Sequence, residues 1–128
     1  MFISNVKPTC EPMQYWKVEW QSWMESGQEM SEKQQWEAAT ILYKRAFSLA
    51  DKMYCGNCAN KNSCKNALIC YLSTATKFAQ AIKNNGYDCA LIALIDTLKG
   101  QQSQTESKEH KLMFIEALNK LAELEYAS

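Results

Sequence analysis

Apolar residues recur at helical spacing between residues 36 and 51, where the pattern along the chain is clearest. Steps of three or four residues place them on one stripe of a helix, and charged residues fall outside that stripe. Large rings alternate with alanines, and alanines allow the backbone of a second helix to approach closely. We therefore expect a helix that packs against a close helical partner. The stripe consists of Trp36, Ala39, Tyr43, Ala46, Phe47 and Ala50.

A preceding helix is predicted from Pro12 to about Met30, because proline suits the first helical turn. Its stripe consists of Met13, Trp16, Trp20, Trp23 and Gly27. Three tryptophans on one face predict heavy burial, and an exposed aromatic ladder that binds ligands is the alternative. The segment from Ser31 to Gln34 fits a capping box, so we expect the second helix to start there and to end near Met53. The short junction predicts an antiparallel hairpin.

Small and aromatic residues of this hairpin also have the spacing of a known repeat. Gly27 follows Trp23 by four residues, Ala39 comes twelve later, and Tyr43 and Ala46 follow. Over about residues 20–53 this spacing resembles the tetratricopeptide repeat (TPR), a helix-turn-helix unit with a period of ~34 residues. In that family the small residues lie where the paired helices approach most closely. The resemblance therefore implies a close contact at Gly27 and Ala39.

A loop and a third helix are predicted after the hairpin. Residues 54–66 contain one Gly, four Asn and three Cys, which break the helical pattern. The third helix is expected from Cys64 or Asn66 to Asn84, and Asn85 and Gly86 tolerate the left-handed backbone that ends a helix. Its predicted buried side consists of Leu68, Tyr71, Leu72, Ala75, Phe78, Ala79 and Ile82.

Two more helices complete the predicted fold. A fourth is expected from Tyr87 to about Leu98, where Tyr87, Ala90, Leu94 and Thr97 resemble the second half of a degenerate TPR unit at about 67–100. Gly100 and a polar linker at 101–107 would follow. The last helix, from about Ser107 to Ala127, would cap the array. Its predicted buried face consists of Leu112, Ile115, Ala117, Leu118, Leu121, Ala122 and Leu124.

The predicted fold class is therefore all-α, with about five helices in antiparallel hairpins. By resemblance these helices form a TPR-like right-handed array with a C-terminal capping helix. We expect residues 1–128 to form a single domain that begins with an irregular arm at 1–11.

The cysteines carry the only metal-ligand pattern in the sequence. Cys55 and Cys58 are separated by two residues and can bind one tetrahedral ion, and Cys64 would add a third thiolate. Cys70 is the remaining candidate, but it fits only if the third helix begins after Cys64. Three interpretations stay open: free thiols, a zinc or iron-sulfur site, and a disulfide or redox pair. We favour free thiols and no cofactor. Cys89 is expected to be a small core residue.

Charge and composition exclude several classes of function. The formal net charge is zero, which argues against a dedicated nucleic-acid binder, although glutamates make the first 37 residues acidic. We find no signal-peptide pattern and no apolar run of membrane-spanning length, so we expect a cytoplasmic protein without a membrane partner, whose cysteines stay reduced. We also find no phosphate loop, zinc-protease motif or nucleophile elbow. The single histidine, His110, is expected to be exposed to solvent, and no enzyme is predicted.

The resulting functional hypothesis is a noncatalytic scaffold that binds a protein or peptide partner. By resemblance to the TPR family, the groove is lined by the first and third helices. If the last helix closes the groove, Leu72 and Ala75 are core residues instead. The alternatives are a metal-binding or redox-responsive cysteine loop, and a homodimer formed through the first hairpin. The candidate groove residues are Gln21, Met24, Gln28, Leu72, Ala75 and Ala79.

Overall fold

The computed structural model of the protein describes residues 10–55 and 61–126, and the side chains of residues 15–54 and 65–125. Within these ranges the fold is all-α, with five helices packed against their neighbours and no strand, which confirms the predicted fold class. The helices are α1 (Cys10–Glu32), α2 (Trp36–Cys55), α3 (Lys61–Asn85), α4 (Asp88–Gln104) and α5 (Lys108–Tyr126). Of the predicted irregular arm, residues 1–9 lie outside the described residues, while residues 10 and 11 are already helical.

The junction between α1 and α2 differs from the predicted capping box. Gln34 has a φ of 60°, and its amide donates to the Ser31 carbonyl at 3.0 Å. The Gln35 amide donates to the Met30 carbonyl at 2.9 Å. This pair of bonds around a left-handed residue is a Schellman motif, which terminates a helix. Ser31 therefore belongs to the last turn of α1, and α2 begins only at Trp36.

Other helix ends extend further than predicted. A Schellman motif at Gly86, with a φ of 83°, ends α3 as expected from its glycine. In contrast, α4 continues through Gly100 to Gln104, so the polar linker shrinks from 101–107 to 105–107. An exposed glycine in a helix costs only ~1 kcal/mol, which the surrounding helix can offset. The predicted loop at 54–66 is helical at both ends, and residues 56–60 lie outside the described residues.

The first hairpin packs through the small residues that its sequence pattern singled out. Ala39 and Ala46 are fully buried on α2, and Gly27 is buried on α1. A methyl group on Gly27 would lie 2.6 Å from Cε1 of Tyr43, a distance that real contacts do not reach. Gly27 therefore allows the Tyr43 ring to lie directly against the backbone of α1.

The main core surrounds α3, which contacts α2 on one side and α4 and α5 on the other. The Phe47 and Tyr54 rings of α2 both stack on Tyr71 of α3, with centroids 4.9 and 5.6 Å away. Phe114 of α5 meets the same Tyr71 ring edge-on. Each such aromatic pair adds ~1 kcal/mol beyond the buried area. This aromatic cluster joins three helices near the middle of α3.

Two tryptophans of α1 also reach this core, although their rings are half-buried rather than heavily buried as predicted. Nε1 of Trp20 donates to Oγ1 of Thr74 at 2.7 Å, and Thr74 in turn donates to the Cys70 carbonyl at 2.6 Å. The fully buried Thr74 hydroxyl is thus paired as both acceptor and donor. Besides α2, α1 therefore contacts α3 directly.

The buried face of α4 is not the one that the TPR resemblance implies, although Leu94 belongs to both. Helix α4 buries Leu91, Leu94, Ile95 and Leu98. Ala90 and Thr97 are exposed, and Tyr87 is 57% exposed. Four aliphatic side chains at helical spacing bury more apolar area than the predicted set, so they determine which face packs. The small residues of the degenerate second TPR unit therefore lie on the surface.

Helix α5 shows the same kind of difference. Phe114, Ala117 and Leu121 are buried, whereas Leu112 is 64% exposed and Ile115 is 42% exposed. The helix is apolar on two sides, and the side that carries the large Phe114 ring faces the core. The prediction was correct for Ala117 and Leu121 and wrong for Leu112 and Ile115.

Candidate functional site

The three odd-numbered helices run parallel and side by side, with α3 between α1 and α5. Trp20 of α1 bonds to Thr74 of α3, and Gln28, further along α1, bonds to Lys77, further along α3. The two helices therefore run in the same direction. At the other side of α3, Lys65 pairs with Glu109 of α5 at 3.5 Å. One side of α3 remains accessible between these neighbours. We call this accessible side the α3 strip. It consists of Ile69, Ser73, Thr76, Lys77 and Gln80, which are one to four residues apart.

A cavity of about 220 Å³ opens between α1, α2 and α3, beside the C-terminal half of the strip. We call it the polar cavity. Gln28 connects α1 and α3 in the cavity wall. Its Nε2 donates to Glu32 at 3.2 Å, and its Oε1 accepts from Lys77 at 3.2 Å. Ser31 donates to the Tyr43 hydroxyl at 3.4 Å. The lining residues are Gln28, Ser31, Glu32, Trp36, Tyr43, Lys77, Gln80 and Ala81.

A second cavity of about 290 Å³ shares Gln28, Glu32 and Lys77 with the polar cavity, so the two are continuous. We call it the acidic cavity, because α1 contributes three carboxylates to it. Of these, Glu29 pairs with Lys33 at 3.6 Å, and both side chains are more than half exposed. Such an exposed pair is weak. The lining residues are Met24, Glu25, Gln28, Glu29, Glu32 and Lys77.

A third cavity of about 320 Å³ lies on the opposite side of the α3 strip, against α5. We call it the α5 cavity. Leu72, Met113 and Ala117 give it apolar walls, and Ile69 stands at its edge with 45% of its surface exposed. Polar residues surround this apolar part. The remaining lining residues are Ser73, Thr76, Glu116 and Lys120.

The predicted groove residues fall into three groups. Met24 and Gln28 line the acidic cavity, and Leu72 lines the α5 cavity although only 7% of its surface is exposed. Gln21 is exposed on α1 but lines none of the three cavities. Ala75 and Ala79 have no exposed surface, because α3 presents them to the core. Those two residues therefore cannot line a groove; for Ala75 this agrees with the alternative that it is a core residue, and for Ala79 the prediction was wrong.

Sequence reasoning missed the residues that α3 contributes to the polar cavity. Lys77 and Gln80 lie on its accessible side, whereas the prediction transferred apolar positions from the TPR pattern. The signal was present, since Ser73, Thr76 and Gln80 are polar residues at helical spacing within an otherwise apolar helix. The same signal was not available for Glu32, which was assigned to a helix start rather than to the last turn of α1.

Helix α3 begins at Lys61, before Cys64, so the condition under which Cys70 would join the metal site is not met. Cys64 and Cys70 both lie within this helix, where six residues separate their backbones by ~9 Å along the axis. The side chains of Cys55, Cys58 and Cys64 lie outside the described residues. Among described side chains, no three His, Cys, Asp or Glu residues are arranged to hold a metal ion.

The other candidate reactive groups have distinct environments. Cys70 is a half-buried free thiol, and burial raises its pKa, an effect that the nearby Lys17 of α1 partly opposes. Cys89, predicted to be a core residue, is exposed on α4. His110, predicted to be exposed, is half-buried, and its ring meets the edge of the Tyr54 ring at 6.5 Å.

Comparison of the chain with protein-family models, with curated proteins and with solved structures finds no significant match. Among the described helices, none has both the length and the apolar character needed to cross a membrane.

Proposed function

We propose that the protein is a noncatalytic scaffold that binds a peptide or protein segment on the face formed by α1, α3 and α5. The α3 strip carries this proposal, since cavities open on both of its sides. The two cavities that flank the strip share no lining residue, so a ligand that fills both must extend across the strip. The polar groups available there suit hydrogen bonding and ion pairing with a partner.

The packing of the first hairpin supports a TPR-like origin for this face. Gly27 and Ala39 occupy close helical contacts, as the resemblance implies, over about residues 20–53. In a TPR-like array the first helix of each unit lines the binding groove, which corresponds here to α1 and α3. The second unit, at about 67–100, contributes α3 to the groove but lacks small residues in the buried face of α4.

Site-specific photo-crosslinking tests the proposed face. A benzophenone amino acid placed at Ser73 or Gln80, both exposed on the α3 strip, is expected to crosslink a partner from a native lysate. The same group at Ser48, exposed on α2 and away from all three cavities, is the matched control. Equal crosslinking from Ser48, or none from the α3 strip, would contradict the proposal.

A second candidate function is a metal- or redox-responsive module at the cysteine loop. The observation that favours it is the position of His110, whose ring contacts Tyr54, the residue before Cys55. Histidine and cysteine together form common zinc sites, and His110 would replace Cys70 as the fourth ligand beside Cys55, Cys58 and Cys64. Iron-sulfur binding is the other metal option at these cysteines.

Elemental analysis tests this second candidate. Protein purified without chelator should carry stoichiometric zinc or iron, and a His110→Ala variant should lose most of it. His110 and the three loop cysteines should also be protected from modification when metal is bound. A metal-free protein whose melting temperature does not change on zinc addition excludes this function.

A further inference from the structure

We propose that the partner segment is basic and amphipathic, with an arginine or lysine that enters the acidic cavity and an apolar side chain that enters the α5 cavity. This inference rests on the proposed scaffold function and specifies its partner. It follows from the different chemistry of the two sides of the α3 strip, together with the length of the strip.

The α1 side of the strip favours a cation. Glu25 and Glu32 line the acidic cavity without forming an ion pair among the described residues, while Glu29 is already paired with Lys33. Lys77 is the one cation that lines the cavity, and it is hydrogen-bonded to Gln28 rather than to a carboxylate. The cavity therefore contains uncompensated negative charge. An incoming guanidinium or ammonium group would supply the missing charge and donate to two carboxylates.

The polar cavity extends this site with groups that suit the same cation. Trp36 contributes aromatic surface, and Gln80 contributes an amide to the same lining as Glu32. A guanidinium packs well on aromatic surface while its donors reach carboxylates and amides. A flat cation is therefore a better fit than an acidic or aliphatic side chain.

The α5 side of the strip favours an apolar group. Leu72, Met113 and Ala117 form its walls. The apolar side chain of Ile69 beside them is 45% exposed to solvent. Covering such a surface with one leucine-sized side chain removes apolar area from water on both partners. Methionine adapts its shape to different apolar groups, which suits a recognition surface.

The length of the α3 strip sets the length of the partner segment. Ile69 and Gln80 mark the two ends of the α3 strip, and eleven helical residues separate them by ~16 Å. An extended peptide covers that distance with ~5 residues, and a helix covers it with ~11 residues. A segment of about three helical turns therefore reaches both cavities in either conformation.

Fluorescence anisotropy with defined peptide pools tests the charge of the partner. End-capped, fluorescein-labelled peptides of about twelve residues, enough to span the strip as a helix, are randomised except for fixed leucine and one fixed arginine, glutamine or glutamate. The arginine pool should bind most tightly and lose affinity with added salt. Equal binding of the glutamine pool, or preference for the glutamate pool, overturns the basic partner and leaves the scaffold function standing.

Variants on the α1 side give the sharpest test, because the inference predicts weaker peptide binding for some of them and stronger binding for another. The pair Glu25→Gln and Glu32→Gln should weaken binding of the arginine pool about fivefold for each charge removed. Lys77→Gln should strengthen it by a similar factor, since it removes a like charge from the site. The matched control pair, Glu123→Gln and Glu125→Gln, changes exposed glutamates of α5 and should leave binding unchanged. A Lys77→Gln variant that binds more weakly overturns the inference.

Two equally exposed isoleucines, one at the α5 cavity and one on α4, provide a test of the apolar contact and its control. Ile69→Ser should weaken binding about fivefold through lost apolar contact, whereas Ile92→Ser on α4 should not, although the two isoleucines are equally exposed at 45% and 46%. If no pool binds and no crosslink forms at the α3 strip, the scaffold function and this inference both fail. If sedimentation equilibrium shows a dimer that the Glu25→Gln and Glu32→Gln pair dissociates, the occupant is a second copy, and a separate basic partner is excluded.

Discussion

The two helical hairpins of this protein are built on different packing rules. In the first, α1 and α2 approach closely at Gly27 and Ala39, so that the Tyr43 ring lies on the α1 backbone. In the second, α4 presents leucines and isoleucine to the core and leaves Ala90 on the surface. Ala39 and Ala90 occupy equivalent positions in the TPR-like pattern, yet only the first lies in a helix contact. Similar spacing in sequence therefore does not guarantee similar packing when larger apolar residues are available on another face.

The largest effect is expected from removing an aliphatic residue on which the second hairpin depends. Leu98→Ala deletes a fully buried side chain of α4 and should lower the free energy of unfolding by ~3 kcal/mol. Urea denaturation followed by circular dichroism measures this loss. The control, Ile92→Ala on the exposed side of the same helix, should change stability by no more than ~0.5 kcal/mol. Equal losses at both positions would contradict the observed face of α4.

Enlarging the two equivalent alanines compares the hairpins directly. Ala39→Leu inserts a large side chain into a contact with no exposed surface and should cost ~2 kcal/mol. Ala90→Leu adds the same atoms to an exposed position and should be nearly neutral, because leucine is also a good helix former. Thermal unfolding of the two variants measures the difference. Comparable destabilisation would mean that Ala90 is buried in a TPR-like contact after all.

The same glycine-to-alanine change should have opposite signs in the two hairpins. Gly27→Ala gains helix propensity but forces a methyl group into the buried Tyr43 ring, for a net cost of ~1 kcal/mol. Gly100→Ala meets nothing within 4 Å and should stabilise α4 by ~0.5–1 kcal/mol. Chemical denaturation of both variants in one buffer resolves the sign. Stabilisation by both changes would argue against close packing at Gly27.

The smallest effect concerns reactivity rather than stability. Because burial raises the pKa of Cys70, less of its thiol is ionised at a given pH than for an exposed cysteine. Iodoacetamide should therefore modify Cys89 of the second hairpin faster than Cys70, with a difference that narrows as the pH rises. Peptide mapping by mass spectrometry measures both rates in native protein. Unfolding in urea should remove the difference, which separates burial from local sequence.

The fold was predictable from sequence where one helix face was clearly more apolar than the others. On α2 rings and alanines define a single stripe, and the structure buries it. On α5 apolar residues occupy two faces, and the choice between Leu112 and Phe114 depends on what the neighbouring helix offers. The turn after α1 was misread for a different reason. A left-handed glutamine at position 34 gives no sequence signal, because that conformation is usually adopted by glycine or asparagine.

The candidate site was predictable in part, mainly on the α1 side. Met24 and Gln28 followed from the TPR resemblance, since the first hairpin keeps the spacing of that family. On α3 the same transfer selected Ala75 and Ala79, which the core covers. The rotation of α3 about its axis is set by the aromatic contacts of Tyr71 with α2 and α5, and these contacts are distant in sequence. Local patterns do not encode such an orientation.

The hydrogen bond between Trp20 and Thr74 has a consequence for the order in which the protein folds. It joins residues 54 positions apart, whereas the Ser31–Tyr43 bond inside the first hairpin spans only 12. Closing a longer loop costs more chain entropy and takes place later on average. We therefore expect the first hairpin to form early and the walls of the acidic and polar cavities to meet only when α3 docks on α1. The proposed binding face would then form in the last steps of folding, so any binding there would require the completed fold.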